Sequence, residues 1–275
     1  MIRTMPELPE VETTCNGIRP HLQGKTIVGA EIRNHSLRWP VPDNLSDLIS
    51  GQKIKEIRRR GKYIVIQTQS GALIVHLGMS GGVRVVNKNT DLKKHDHVDI
   101  EFSNEMVLRY HDPRRFGCVL WTDKDPEQHK VLCKLGVEPL TDAFDGQFLL
   151  EQSKGKTRAI KLFLMDSHIV VGVGNIYANE ALFLTGIDPQ TAVKEISKEK
   201  FDQLAENIKA VLEKAIKSGG TTLRDFTNSE GKPGYFQQQL NVYGRTGEKC
   251  VRCGGTIKQI RQGQRSTFYC SECQK

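Results

Sequence analysis

Hydrophobic positions change their period twice along the chain. After Pro9, Val11, Cys15, Ile18 and Leu22 recur at near-helical spacing and stop before Gly24, which predicts one short amphipathic helix. From residue 25 to 121 the pattern becomes a series of short β-rich runs at 27–32, 54–58, 63–67, 73–77, 83–86, 98–102, 107–110 and 118–121, separated by Gly, Asn, Asp or Pro. About eight strands at this spacing predict a sandwich or barrel.

After Asp123 the period becomes helical. Phe148 and the runs 159–165, 176–184 and 201–216 read as helices, and Leu204, Ile208, Val211, Leu212 and Ala215 form an apolar stripe on the last. Gly219-Gly220 ends it, and the polar stretch 221–239, with Gly231, Pro233 and Gly234, reads as a long loop. The expected boundary between this β-rich N-terminal domain and a helical C-terminal domain falls near residues 125–145.

Composition narrows the classes. The 275 residues carry 40 Lys plus Arg against 32 Asp plus Glu, a formal net charge of +8, and 37% hydrophobic residues, an ordinary globular mixture able to bury a core. Residues 63–83 carry no charged side chain, but Gln67, Thr68, Gln69, Ser70 and Gly71 interrupt them where a membrane span stays apolar. No secretory leader pattern opens the chain, so a cytoplasmic protein is expected. The positive field favours polyanionic partners, and it concentrates at the end: residues 244–275 hold seven Lys or Arg and two Glu, +5 in all.

That tail contains Cys250-x2-Cys253, sixteen residues, then Cys270-x2-Cys273. Each pair can place two thiolates on one ion from a tight turn, and the interval suffices for a β-hairpin that closes a tetrahedron. One structural Zn2+ is therefore expected. Cys15, Cys118 and Cys133 have no such spacing and read as packed apolar groups.

At the other end stands Met5-Pro6-Glu7-Leu8-Pro9-Glu10-Val11-Glu12-Thr13. A chain beginning at Pro6 would offer a secondary amine, and an α-amino group at about pKa 8 is a far better nucleophile at neutral pH than lysine at about 10.4. The same residues also suit an ordinary proline-led helix start.

The order of several motifs decides between these readings. Pro6 to Thr13 is followed by Arg59-Arg60-Gly61-Lys62-Tyr63, His76-Leu77-Gly78-Met79-Ser80-Gly81, Lys94-His95-Asp96-His97-Val98-Asp99, Asp112-Pro113-Arg114-Arg115-Phe116-Gly117, Val171-Gly172-Val173-Gly174-Asn175-Ile176-Tyr177-Ala178, Gly219-Gly220-Thr221-Thr222-Leu223-Arg224-Asp225-Phe226 and the cysteine cluster enclosing Arg265. With these in order from Met5 to Lys275, the chain resembles the bacterial formamidopyrimidine-DNA glycosylase family, which removes oxidised purines from duplex DNA and nicks the abasic site.

The resemblance implies a multidomain α+β chain: an N-terminal β-sandwich with flanking helices at 5–135, a helix–two-turn–helix domain at 136–240 and a C-terminal zinc-finger β-hairpin at 241–275. It also implies that Pro6 attacks C1′ to give a Schiff base, that Glu7 transfers protons, that Lys62 serves β-elimination and that Arg265 serves δ-elimination as a phosphate clamp. Met79, Arg114 and Phe116 match the positions that fill the space left by a flipped nucleotide. Asn175 and His95, with Lys62 and Arg265, would grip the strand. A further basic contact falls near Lys154 and Lys156, with Gly155 in its register and Lys156 as candidate bearer. Residues 221–235 match a loop over the extruded base. Damaged duplex DNA is the implied partner and a monomer the expected state. Two alternatives have their own features. An endonuclease VIII-like pyrimidine glycosylase fits the opening motif and the loop less well, and a non-catalytic lesion-binding protein would follow if residues 1–5 are retained, since Pro6 nitrogen is then an amide.

Overall fold

The structure, a computed structural model, describes residues 6–220 and 240–275; the expected base-capping loop at 221–235 and the segment ahead of Pro6 lie outside them. The chain forms two compact units, Met1–Cys133 with Ser218–Tyr235 and Lys134–Lys217 with Phe236–Lys275.

In the first unit, helix α1 (Leu8–Leu22) leads into two four-stranded antiparallel sheets. One has the order β1 (Ile27–Ile32), β6 (Asp96–Phe102), β7 (Met106–His111), β5 (Gly82–Asn87). The other has the order β2 (Glu56–Arg60), β3 (Tyr63–Gln67), β4 (Ala72–His76), β8 (Cys118–Thr122). All eight strands stand where the short β-rich runs predict them. Both sheets and α1 share one core, in which Val11, Cys15, Ile18 and Leu22 from the helix meet Ile64 and Leu73 from one sheet and Val98 and Ile100 from the other. Removing such surface from water is the main stabilising term. A five-residue helix α2 (Leu45–Ile49) beside β1 has no counterpart in the sequence reading. Its two buried residues, Leu45 and Ile49, are too few to display a period.

The second unit contains α3 (Gly146–Ser153), α4 (Ile160–Leu164), α5 (Asn175–Thr185) and α6 (Lys198–Lys217), followed by the hairpin β9 (Lys258–Gln262) and β10 (Arg265–Tyr269). The stripe predicted on α6 is buried throughout. Helix α5 is buried nearly all round, so it forms the centre of the unit and shows little amphipathic signal. The hairpin docks by named bonds: Lys161 Nζ of α4 donates to Ser266 O at 3.0 Å and Thr267 Oγ1 at 2.6 Å, and Asn179 Oδ1 of α5 accepts from Phe268 N at 2.7 Å. Among the described residues, no helix is long and apolar enough to cross a membrane.

Candidate active site and nucleic-acid interface

In the first unit, the chain enters α1 through Pro6 and Glu7, both buried. Glu7 is the N-cap, and a reciprocal capping box joins it to Glu10: Glu7 N donates to Glu10 Oε2 at 2.9 Å and the Glu7 side chain takes the Glu10 amide. The opening motif therefore has a structural task as well as its candidate chemistry. Gly220, at the edge of the described chain, lies against Glu10, where an added Cβ would stand 3.4 Å from the Glu10 side chain.

Lys62 sits in the two-residue turn between β2 and β3, where Arg60 pairs with Tyr63. Gly61 takes φ +58° at the first turn position, a conformation that favours glycine and matches strand twist. Arg59 joins this turn to α1: its Nε donates to Glu12 Oε2 at 2.9 Å and its Nη1 to Gly61 O at 3.1 Å. One guanidinium thus braces the helix that opens with Glu7 against the turn that presents Lys62.

At the end of β4, opposite Tyr63, stands His76, whose ring lies 4.7 Å from that of Tyr63. Its Nδ1 accepts from Gly78 N at 3.0 Å. Burial, with Lys62 and Arg38 as cationic neighbours, pushes the imidazole down from 6.5 to about 4. The unfolded chain binds a proton here that the folded ring refuses, so stability is complete above about pH 6.5 and falls as pH drops toward 4. Between pH 7 and 4.5 the loss should be about 2 kcal/mol. His76→Gln, which keeps an acceptor for Gly78, should remove that increment in urea titrations at the two pH values; an unchanged difference would place the acid sensitivity elsewhere.

The candidate wedge residues occupy two loops in backbone contact. A Cβ on Gly78 would stand 2.6 Å from Gly117 N, and one on Gly117 would stand 2.1 Å from His76 O, so only glycines allow the approach. Asp112, fully buried, ties both loops: its oxygens accept from Gly117 N at 2.9 Å, Arg114 N at 3.2 Å, Tyr110 Oη at 3.2 Å and Ser80 Oγ at 3.3 Å. On this base Met79 is half-buried, Phe116 is 44% exposed, and the Arg114 guanidinium lies 4.7 Å over the Phe116 ring. His95 stands nearby in the left-handed region, φ +76°, its carbonyl accepting from Asp112 N at 3.1 Å.

In the second unit, Arg265 opens β10 directly after a two-residue turn in which Gly263 and Gln264 both have positive φ, +51° and +63°. It is exposed. Asn175, the first residue of α5 after Gly174, donates from Nδ2 to Ser266 O at 3.0 Å, so it stands beside the Arg265 hairpin. Lys156 is half-buried and donates from Nζ to Gln152 O, while Lys154 is exposed and pairs with Glu151 at 2.5 Å. Two residues that the sequence reading missed organise this unit. Glu180 accepts from Asn241 N, Val242 N and Tyr243 N at 2.8–2.9 Å, and the fully buried Lys161 holds the hairpin. Only their surroundings after folding reveal these tasks.

Cys250, Cys253, Cys270 and Cys273 bring their sulfurs within 4.8 Å of one another. The separations of 3.8 Å for Cys250–Cys273 and 3.5 Å for Cys253–Cys270 match the edge of about 3.8 Å in a ZnS4 tetrahedron with bonds near 2.3 Å. Arg252 N and Gly255 N approach Cys250 and Cys253 sulfur at 3.4 Å, donors that suit thiolates. The four residues fit one structural zinc and leave no ligand position for chemistry.

A mixed α+β chain with an N-terminal sheet unit and a helical unit ending in a zinc-finger hairpin is the class that these observations define. Three family models match in sequence: the formamidopyrimidine-DNA glycosylase N-terminal domain at residues 5–119, its H2TH domain at 135–227, and the zinc finger found in FPG and IleRS at 247–275. Formamidopyrimidine-DNA glycosylases of Shewanella woodyi and Pseudomonas syringae pv. tomato are 55% and 54% identical, each over 98% of this chain and 99% and 100% of their own lengths. The Thermus thermophilus MutM (FPG) crystal structure superposes with TM-score 0.87 at 33% identity, covering 98% of both chains. That of a Lactococcus lactis FPG mutant with Fapy-dG-containing DNA superposes with TM-score 0.91 at 34% identity, covering 98% of this chain and all of that one. The chain belongs to the formamidopyrimidine-DNA glycosylase family.

Proposed function

We propose that this chain is a base-excision-repair DNA glycosylase that removes oxidised purines from duplex DNA and then cleaves the abasic strand by β,δ-elimination through a Schiff base. The observation that carries the reading is the full-length match of all three family domains, together with the proline–glutamate opening of α1 braced by Arg59 against the Lys62 turn. In this reading Pro6 nitrogen attacks C1′ as the C1′–base bond breaks, the nitrogen loses its proton, and the C1′–O4′ bond then opens with a proton delivered to O4′, leaving the iminium. Glu7 moves protons beside that cation. Lys62 acts in β-elimination, and Arg265, always charged, holds the phosphate that leaves in δ-elimination. His95, Asn175 and Lys156 contact the DNA backbone. The zinc is structural, the protein works as a monomer, and its place is the bacterial cytoplasm.

Incubation with an 8-oxoguanine duplex should release the base and leave phosphate at both ends of a one-nucleotide gap. An intact abasic strand would refute the lyase half, and an untouched lesion would refute the whole.

Met79, Arg114 and Phe116 fill the vacated stack and face the orphaned base, which makes extrusion of a paired lesion affordable. Phe116→Ala and Arg114→Ala should each slow removal of paired 8-oxoguanine about tenfold or more, and cleavage at a preformed abasic site much less. Equal losses on both substrates, with melting temperature unchanged, would assign these residues to something other than extrusion.

A further inference from the structure

Three imidazoles meet at the edge of the β5–β7–β6 sheet. The His95 ring lies 6.1 Å from His97 and 6.1 Å from His111, both edge-on. His97 is buried and engaged through Nε2 with Asp112 O at 2.8 Å. His111 differs: 28% of its side chain is exposed, and Nδ1 lies 2.9 Å from Asp96 Oδ1.

The tautomer of His111 follows from its partner. The Asp96 side chain has no exposed surface, and its oxygens also receive Arg84 Nη2 at 2.5 Å and Lys93 N at 2.8 Å. Burial alone would raise its pKa, but the bonds from Lys93 N, Arg84 and His111 hold it below its ordinary value. An ionised carboxylate only accepts, so the His111 proton resides on Nδ1. In neutral His111 the other nitrogen, Nε2, is therefore a bare acceptor that repels an anion, and in the imidazolium it is a donor.

Around the adjoining His95 and His111 rings stand Arg84 from β5, Asp96 and His97 from β6, Lys94 ahead of β6, and Asp112 and Arg115 after β7. Apart from the two carboxylates, which are committed to bonds within the protein, the surrounding charge is cationic. Partial burial, then Lys94, His111, His97 and Arg115, lowers the His95 imidazole, so protons are disfavoured on that ring. The site is also strained toward one geometry, since His95 and Arg115 both hold positive φ, +76° and +57°.

We infer that His111 is a phosphodiester-binding residue beside His95, oriented by buried Asp96, and that it takes up a proton when duplex DNA binds. The inference rests on the DNA-repair reading above. The anion supplies what the free site lacks, a negative group to offset the second positive charge on a ring whose Nδ1 is already committed. Asp96 is accordingly a positioning residue, and its fixed tautomer makes His111 a conditional contact, open to phosphate only when protonated.

The test is binding of a duplex carrying a tetrahydrofuran abasic analogue, followed by calorimetry at pH 7.5 in buffers of differing ionisation enthalpy. The wild type should take up roughly half a proton per duplex bound. His111→Gln should lose most of that uptake and bind about tenfold more weakly at pH 6, with little change at pH 8.5. Uptake unchanged in the variant, or an equal affinity loss at both pH values, would overturn the inference while leaving the repair reading intact. Failure of the wild type to bind the duplex at any pH would sink both. Imidazole nitrogen shifts of the wild-type protein give a readout without substitution: His111 Nε2 should change from bare to protonated on adding duplex at pH 7.5, and a bare Nε2 in the complex would overturn the inference.

Discussion

Protein that retains residues 1–5 should bind an abasic duplex yet give no covalent adduct on borohydride reduction, whereas protein beginning at Pro6 should trap it readily. The expected difference is about a thousandfold or more, because the whole nucleophilic route is lost. While Met5 precedes it, Pro6 nitrogen is a tertiary amide whose lone pair is delocalised into the carbonyl; released, it is a secondary amine at about pKa 8. The first family model begins at residue 5, one position before this proline. Intact mass of active protein should therefore show that residues 1–5 are gone. If the unprocessed chain traps DNA as well as the processed one, Pro6 is not the nucleophile, and Lys62 becomes the first lysine to substitute.

Zinc removal should have the second-largest effect. The hairpin β9–β10 has only two strands, and a two-stranded ribbon is marginal in water. Its cysteines close around one ion whose binding contributes about 10 kcal/mol or more to folding such a module. Without the ion, the hairpin is left to a few hydrogen bonds such as those from Lys161, Asn175 and Asn179, and Arg265 at its turn loses a fixed position. Chelation, or Cys253→Ser, should release one zinc per chain to an indicator dye and weaken abasic-duplex affinity by about a hundredfold or more. The first unit should keep its own unfolding transition. Loss of zinc with affinity intact would separate the finger from DNA binding.

The strands and long helices were legible because burial marks the sequence: short continuous apolar runs for β3 and β7, a stripe at helical spacing for α6. The zinc cysteines were legible because their ligation depends on spacing within a few residues of each pair. What remained hidden depends on partners far along the chain. Asp112 stands inside a conspicuous motif, but its work of joining the 77–81 loop to the 112–117 loop exists only once β4 and β7 bring them together. Glu180 resembles any helical glutamate until three amides at 241–243 converge on it. His111 likewise looks like a strand residue until Asp96, across the register, decides which of its nitrogens carries hydrogen. The wedge was readable as glycine-flanked loop tips, but not the backbone contact that makes those glycines necessary.

The turns that present Lys62 and Arg265 are each two residues long, with paired strands starting at once on both sides. Such a turn has no slack. One inserted residue in either would shift the following strand by one position and turn every side chain on it to the opposite face. Relatives with altered chain length should therefore place their insertions elsewhere, and grafting either tip onto another scaffold would require its flanking ladder to travel with it. For these two cations, the length of the turn fixes position as firmly as the residue type fixes charge.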